Sequence, residues 1–254
     1  KNDHLDGPPL IVTRTDGATP FRLVTHIGDV GHTLVAGPTG MGKSVLLATL
    51  AMQFRRYRGS RIFAFDMGRS IRAAILGMGG EHYDLGADDE IAFQPLARID
   101  REGYRTWASE WVEGRLLHEG AAVGPDEKAA IWSALGSLAS APVEQRTLTG
   151  LTALLQSNTL RQALAPYVLG GAHGRLLDAD HDRLGTADVQ AFEMEELMHS
   201  KAAVLAVLRY LFARFEERLD GAPTLLILDE AWLFLDDPVF AARIRQWLKT
   251  LRKK

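Results

Sequence analysis

The spacing of apolar residues changes period several times along the chain. Leu10 to Thr13 and Phe21 to Thr25 are β-rich and flank Thr15-Asp16-Gly17-Ala18-Thr19-Pro20, a cluster of turn formers, so a leading hairpin is expected. His32-Thr33-Leu34-Val35-Ala36 reads as a short buried strand stopped by Gly37. From Lys43 the period becomes helical, with Val45, Leu46, Leu50 and Phe54 on one face. Arg61 to Phe65 alternates into a second strand ending at Asp66, and a short helix is expected from Ser70 to Leu76. Strands separated by helices predict a parallel sheet with right-handed crossovers.

From Asp100 to about Leu169 strand signals vanish. Apolar residues recur at i, i+4, as with Trp107 and Trp111 and with Ile131 and Leu135, so a helical insertion is expected, broken into segments by Pro95, Pro125 and Pro142. Gly170 to Gly174 reads as a flexible loop, and Val189 to Met194 as a return to the sheet. A long helix over about Ser200 to Leu219 leads to Thr224-Leu225-Leu226-Ile227-Leu228, whose unbroken apolar run predicts a central strand buried on both faces. A last helix is expected from about Pro238 onward. The expected organisation is residues 1–99 as the first half of a nucleotide-binding α/β domain, 100–185 as the helical insertion and 186–254 as the second half.

Composition then narrows the function classes. With 29 basic and 32 acidic residues the net charge is −3, which gives no support to DNA binding or to an anionic membrane surface. No cysteine is present, which excludes disulfides, thiolate metal sites and a cysteine nucleophile. The eight histidines lack H-x-x-x-H spacing, so a histidine metal site is not expected. No apolar run approaches the ~20 residues of a spanning helix. The chain opens at Lys1, so its numbering is expected to begin inside a longer polypeptide.

Gly37-Pro38-Thr39-Gly40-Met41-Gly42-Lys43-Ser44 fits G-x-x-x-x-G-K-[ST] between an expected strand and an expected helix. Glycines are needed where backbone N–H groups wrap a phosphate chain, because a Cβ there would block approach or forbid a positive φ. The helix start adds a positive dipole end. Residues 37–44 with Val45 are the expected ATP-binding segment, with Lys43 reaching the β- and γ-phosphates and Ser44 ligating Mg²⁺. Asp229, at the end of an apolar strand, is the expected metal partner, and Glu230 the group that orients or deprotonates the attacking water. Asp66 contacts the nucleotide or its water network, or it caps the helix near Ser70. The tryptophans at 107, 111, 132, 232 and 247 are expected mostly in the core, and Gln94, Pro95 and Leu96 in a plain loop. Arg55-Arg56-Tyr57-Arg58 most simply complements the helix dipole before it, and the basic stretch from Lys249 solvates a helix end.

The run Gly31-His32-Thr33-Leu34, then Phe65 to Ser70, Phe93-Gln94-Pro95-Leu96, Leu228-Asp229-Glu230-Ala231-Trp232-Leu233-Phe234-Leu235 and Trp247-Leu248-Lys249-Thr250-Leu251-Arg252-Lys253 resembles the TrbE/CagE-type conjugal-transfer ATPases of type IV secretion systems, counterparts of the fourth protein of the VirB series. The resemblance implies a P-loop NTPase of the α/β class, RecA-like in the HerA-FtsK group, with an inserted all-α subdomain. It implies ATP and Mg²⁺ as cofactors and assembly as a homo-oligomer, hexamer or dimer, with other secretion components. It also implies a cytoplasmic location, peripheral on the inner membrane, and makes Arg252 a candidate residue acting in trans. Members of that family continue past Lys254 into a further strand ending in a sensor glutamine and carry an N-terminal domain before Lys1.

Three functions fit these residues: an ATP-hydrolysing motor for pilus assembly or substrate translocation, a DNA-translocating motor like the coupling proteins, and a nucleotide-gated scaffold with little hydrolysis. The absence of an L-S-G-G-Q-like segment argues against a transporter-type ATPase, and the Asp229-Glu230 pair against a small-molecule kinase.

Overall fold

The computed structural model describes residues 5–26, 31–87, 91–230, 238, 241–242 and 244–246. The chain divides into two compact units, one of residues 1–84, 186–195 and 217–254, the other of residues 85–185 and 196–216.

The first unit begins with a hairpin. β1 (Ile11–Arg14) pairs antiparallel with β2 (Pro20–Leu23), Ile11 opposite Leu23 and Arg14 opposite Pro20. Its turn closes as the residue types predict, with Thr19 N donating to Thr15 Oγ1 at 3.2 Å. The helix after the glycine loop is α1 (Lys43–Phe54). It is followed by β3 (Arg61–Asp66), α2 (Arg72–Gly77) and β4 (Glu81–Asp84), a four-residue edge strand whose polar sequence carries no strand pattern.

Among the described residues the regular elements of the second unit are helices: α3 (Glu102–His118), α4 (Pro125–Leu138), α5 (Leu148–Leu154), α6 (Asn158–Leu164) and α7 (Gly174–Leu177). The chain then supplies β5 (Val189–Glu193) to the first unit, α8 (Lys201–Glu216) to the second and β6 (Thr224–Leu228) to the first. The helical insertion expected over 100–185 thus extends to 85–185 and takes α8 with it. The reason is packing: α8 buries Val207, Tyr210, Leu211 and Phe212 in the helical unit, where Trp111 Nε1 donates to Ala206 O at 3.0 Å. Helix starts follow local chemistry. Pro125 opens α4 while Glu127 accepts from Gly124 N at 2.9 Å, and Thr147 accepts from Gly150 N at 3.0 Å at the start of α5.

The main sheet is parallel in the order β4-β5-β3-β6. β3 and β5 are flanked on both sides and almost wholly buried. Phe65, Phe192 and Tyr83 form an aromatic row across three strands, with centroids 5.4 and 5.2 Å apart. Leu50, Ala51 and Phe54 of α1 join Ile62, Ala64, Ala191 and Ile227 of the sheet in one core cluster. At the amino-terminal edge, Arg61 forms two hydrogen bonds to Asp220 at 2.8 and 2.9 Å, and Arg218 reaches Gln190 Oε1 at 3.0 Å.

Several sequence expectations are corrected. His32 to Ala36 has no regular secondary structure and is not a buried strand, and Leu34 is 87% exposed. A β-prone run becomes a strand only where a sheet edge accepts its hydrogen bonds, and the described sheet order β4-β5-β3-β6 does not include it. β6 stands at the end of the strand order, mostly half-buried, because β5 and β3 hold the two central places. Of the run 170–174, residues 170–173 form turns, whereas Gly174 is buried at the start of α7, where a Cβ would lie 1.8 Å from Val168 O. Gln94 is not a plain loop residue but 2% exposed, donating to Val143 O at 2.5 Å. Arg56 ties the chain start by donating to Pro9 O and Leu10 O at 2.8 and 2.7 Å, while Arg55 donates to Ser60 O at 2.7 Å. The Arg56 guanidinium also donates to Gln53 O at 3.2 Å in the last turn of α1, so it meets that helix end as expected and anchors the chain start as well. Trp111 is buried, whereas Trp132 is 40% exposed beneath the guanidinium of Arg105. Trp232, Trp247, the basic stretch from Lys249 and Arg252 lie outside the described residues.

Candidate functional site

Parallel strands place all their carboxyl ends on one edge, where α/β folds collect ligands. Here that edge carries Asp84, Glu193, Asp66 and Asp229 at or just beyond the ends of β4, β5, β3 and β6. Asp229 is locked to β3 by its own N–H, which donates to Phe65 O at 2.9 Å.

The glycine loop reaches the same edge. Gly40 and Gly42 have φ of 83° and 81°, with no atom within 4 Å of a would-be Cβ, so their need for glycine is conformational. Gly42 is the residue before α1, and Gly37 to Gly42 are exposed. Met41 and Val45 are 73% and 71% exposed. The Lys43 ammonium folds back over the loop, donating to Gly37 O at 2.9 Å and Pro38 O at 3.1 Å. One residue on, the Ser44 hydroxyl lies 3.4 Å from Asp229 Oδ2, across 185 residues of sequence. Ser44 is half-buried on the first turn of α1, so the helix start and the end of β6 bring a hydroxyl and a carboxylate together.

Asp66 is 1% exposed and fully engaged. Oδ1 accepts from Met67 N at 3.0 Å and from the Ser70 hydroxyl at 2.5 Å, and Oδ2 accepts from Ile71 N at 2.9 Å. Burial pushes its carboxyl pKa above the usual range, against the hydrogen bonds from Ser70 and Ile71, with Glu193 and Asp229 adding repulsion. Of the two alternatives for Asp66, the structure shows that it holds the turn into α2; through Ser70, whose hydroxyl is 3.5 Å from Asp229 Oδ2, it also borders the Ser44–Asp229 pair.

Two residues of this edge carry no spacing signal in the sequence, although Ser70 closes the Phe65 to Ser70 run of the family resemblance. Ser70 lies in a run with no spacing signature. Glu193, 0% exposed, receives Gly68 N at 3.1 Å, Glu195 N at 2.9 Å and Arg69 N, and so clamps the turn between Asp66 and Ser70. That turn is left-handed at Gly68 and Arg69, with φ of 74° and 57°. Glu230 is also left-handed, at φ 51°, and exposed beside Asp229. A non-glycine residue there costs about 1–3 kcal/mol, strain that concentrates at functional sites. Asp66, His82 and Glu193 offer ligand-type atoms all within 4.8 Å of one another, and His82 Nε2 is buried without a hydrogen-bond partner. Only the sheet register brings these three together, so spacing rules for histidine are blind to them.

A glycine loop closing on a helix start, at the carboxyl edge of a parallel sheet with an acidic strand end beside it, defines the P-loop class of α/β proteins. Within that class, this chain is a homologue of the TrbE and VirB4 type IV secretion proteins over nearly its whole length. It is 45% identical to a probable conjugal transfer protein of the TrbE type from Sinorhizobium fredii, over 96% of this chain and 38% of that one. It is 46% identical to the conjugal transfer protein TrbE of Rhizobium radiobacter, over 97% of this chain and 31% of that one. Against the type IV secretion system protein virB4 of Bartonella quintana the identity is 28%, over 98% of this chain and 32% of the relative. The chain thus spans about a third of the length of these curated relatives. The structure of VirB4 of Thermoanaerobacter pseudethanolicus superposes with a TM-score of 0.70 over 97% of this chain and 75% of that one, at 18% identity, which establishes the shared fold. No family model matches the sequence.

Proposed function

We propose that the chain is the nucleotide-binding part of a motor that hydrolyses ATP with Mg²⁺ to power pilus assembly or substrate translocation by a type IV secretion system. The observation that carries this reading is the approach of Ser44 to Asp229, 3.4 Å apart and 185 residues distant in sequence. A hydroxyl and a carboxylate oxygen are hard donors and fit Mg²⁺, which keeps several waters and takes its other ligands from phosphate. Bound there, Mg²⁺ would neutralise charge developing on the β- and γ-phosphate oxygens.

The chain's own residues divide the remaining work. Backbone N–H groups of residues 37–44, with Val45 following on the first turn of α1, wrap the phosphates at the positive end of the helix dipole. Lys43 exchanges two loop carbonyls for phosphate oxygens, a charge-assisted pairing worth about 1.5–3 kcal/mol per hydrogen bond. Glu230, exposed and adjacent to Asp229, orients or deprotonates the attacking water. The names of the relatives associate the motor with conjugal transfer and type IV secretion. Assembly as a hexamer or dimer, on the cytoplasmic side of the inner membrane with other secretion components, belongs to the same proposal. Among the described residues no helix is long and apolar enough to cross a membrane. The net charge of −3 gives the DNA-translocating alternative no support.

The test pairs calorimetric ADP binding with phosphate release. Lys43→Ala should weaken ADP binding by roughly 100-fold or more, the equivalent of two charge-assisted hydrogen bonds. Glu230→Gln should bind ADP normally and release phosphate far more slowly. Equal phosphate release by Glu230→Gln and wild type would remove Glu230 as the base, and negligible release by wild type itself would favour a nucleotide-gated scaffold.

A further inference from the structure

Ser70 has one hydroxyl proton and two carboxylates within reach. Asp66 Oδ1 is at 2.5 Å and Asp229 Oδ2 at 3.5 Å, so the proton goes to Asp66. Asp66 is well suited to hold it. Both of its oxygens already accept backbone N–H groups, from Met67 and Ile71, which fixes the carboxylate in place as an acceptor. The lone pairs of Ser70 Oγ are therefore turned away from Asp66, in the direction of Asp229. Two oxygens rich in lone pairs face one another there with no proton between them. Ser44, on the other side of Asp229 Oδ2 at 3.4 Å, has one proton to give and cannot serve both. Such a convergence of oxygens repels unless a cation, or a water polarised by one, supplies positive charge.

We infer that Ser70 is a further residue of the divalent-cation shell, its Oγ accepting a hydrogen bond from a water on the nucleotide's metal ion, with Asp66 as the positioning residue that turns the Ser70 hydroxyl for that task. The inference rests on the nucleotide reading above and deepens it. Ser70 is exposed, so its hydroxyl is open to a hydrated ion, whereas Asp66 is buried beneath it and acts only through Ser70. Glu193 serves the same end one step back, holding Gly68 N and Arg69 N so that the turn presents Ser70 at this angle. Beside its 3.5 Å approach to Asp229 Oδ2, Ser70 would thus help hold the hydrated ion from the β3 side of the site, and Asp229 from the β6 side.

The experiment is calorimetric titration of the protein with ADP, in Mg²⁺ and separately in EDTA. Wild type binds more tightly in Mg²⁺. Ser70→Ala is expected to lose roughly tenfold of that Mg²⁺-dependent gain, the cost typical of removing an outer-shell partner, with affinity in EDTA unchanged. Ser70→Thr, which keeps the hydroxyl, should restore the gain. Asp66→Asn should lose it as well, because an amide in that place can donate to Ser70 and swing its proton toward the metal. Mn²⁺ in place of Mg²⁺, followed by electron paramagnetic resonance, gives a second readout independent of turnover: the spectrum of the ADP complex should change in Ser70→Ala and return in Ser70→Thr. Full Mg²⁺ dependence in Ser70→Ala overturns the inference and leaves the nucleotide reading standing. Wild type that binds ADP no better in Mg²⁺ than in EDTA overturns both.

Discussion

Glu193→Gln isolates the clamp under the site with almost no change of volume. The carboxylate is fully buried and accepts three backbone N–H groups, those of Gly68, Arg69 and Glu195. An amide side chain keeps one acceptor oxygen and turns an NH₂ toward a backbone donor, so at least one hydrogen bond to a charged acceptor is lost and the others lose their charge assistance. At about 1.5–3 kcal/mol for a charged bond, and about 1–3 kcal/mol for a donor left unmet, the loss is about 2–4 kcal/mol. A compensating gain exists, because the change removes repulsion between Glu193 and Asp66. That repulsion influences Asp66 less than its burial or its hydrogen bonds to Ser70 and Ile71, so the loss of acceptors dominates. Relaxation of Arg69 from its left-handed conformation recovers part of the cost. The net expectation is about 2–3 kcal/mol, a fall of roughly 6–15 °C in the unfolding temperature of a unit this size, measured by differential scanning calorimetry. A change of less than about 2 °C would refute the reasoning and show that the clamp is replaceable by water.

In the helical unit, Gly174→Ala would place a methyl 1.8 Å from Val168 O and 2.4 Å from its carbonyl carbon, so the backbone must move. The expected loss is about 3 kcal/mol, the upper end for overpacking, read by chemical denaturation, and an unchanged midpoint would contradict the close packing of this turn. His82 is held below its usual pKa by burial, then by the charge of Arg72, against Asp66, Asp84 and Glu193, which pull it upward. A depressed folded pKa means that the unfolded chain takes up the proton first. Stability is therefore full above about pH 6.5 and lost as pH falls toward the folded value. His82→Gln should flatten that part of the pH dependence of the unfolding temperature between about pH 7 and 5; an identical slope in both proteins would sink it.

Much of the site is legible from residue types alone. A positive φ at Gly40 and Gly42 and a lysine and serine at a helix start are local requirements, written in eight consecutive residues. Asp229 is legible because an acidic residue ending an apolar strand is a recognisable local pattern. β4 is not legible, since Glu81-His82-Tyr83-Asp84 has no alternation to read and becomes a strand only because β5 offers it an edge. The irregular backbone of residues 32–36 and the end position of β6 are illegible for the converse reason: an apolar, β-prone run states a preference, while its place in a sheet depends on which strands are adjacent. The anchoring roles of Arg56 and Gln94 depend on carbonyls 46 or more residues away, which no local pattern can name.

By itself the sequence determined the chemistry this chain can offer: the glycine loop, the α/β class, the helical insertion and the resemblance to conjugal-transfer proteins. All of these rest on local periodicity or on contiguous motifs. The tertiary structure alone decided which oxygens meet. Ser44 approaches Asp229, Ser70 lies between Asp66 and Asp229, and Glu193 lies beneath the turn because the ends of parallel strands share one edge. Convergence of that kind is a property of register and strand order, and it is fixed by hydrogen bonds between segments more than 100 residues apart.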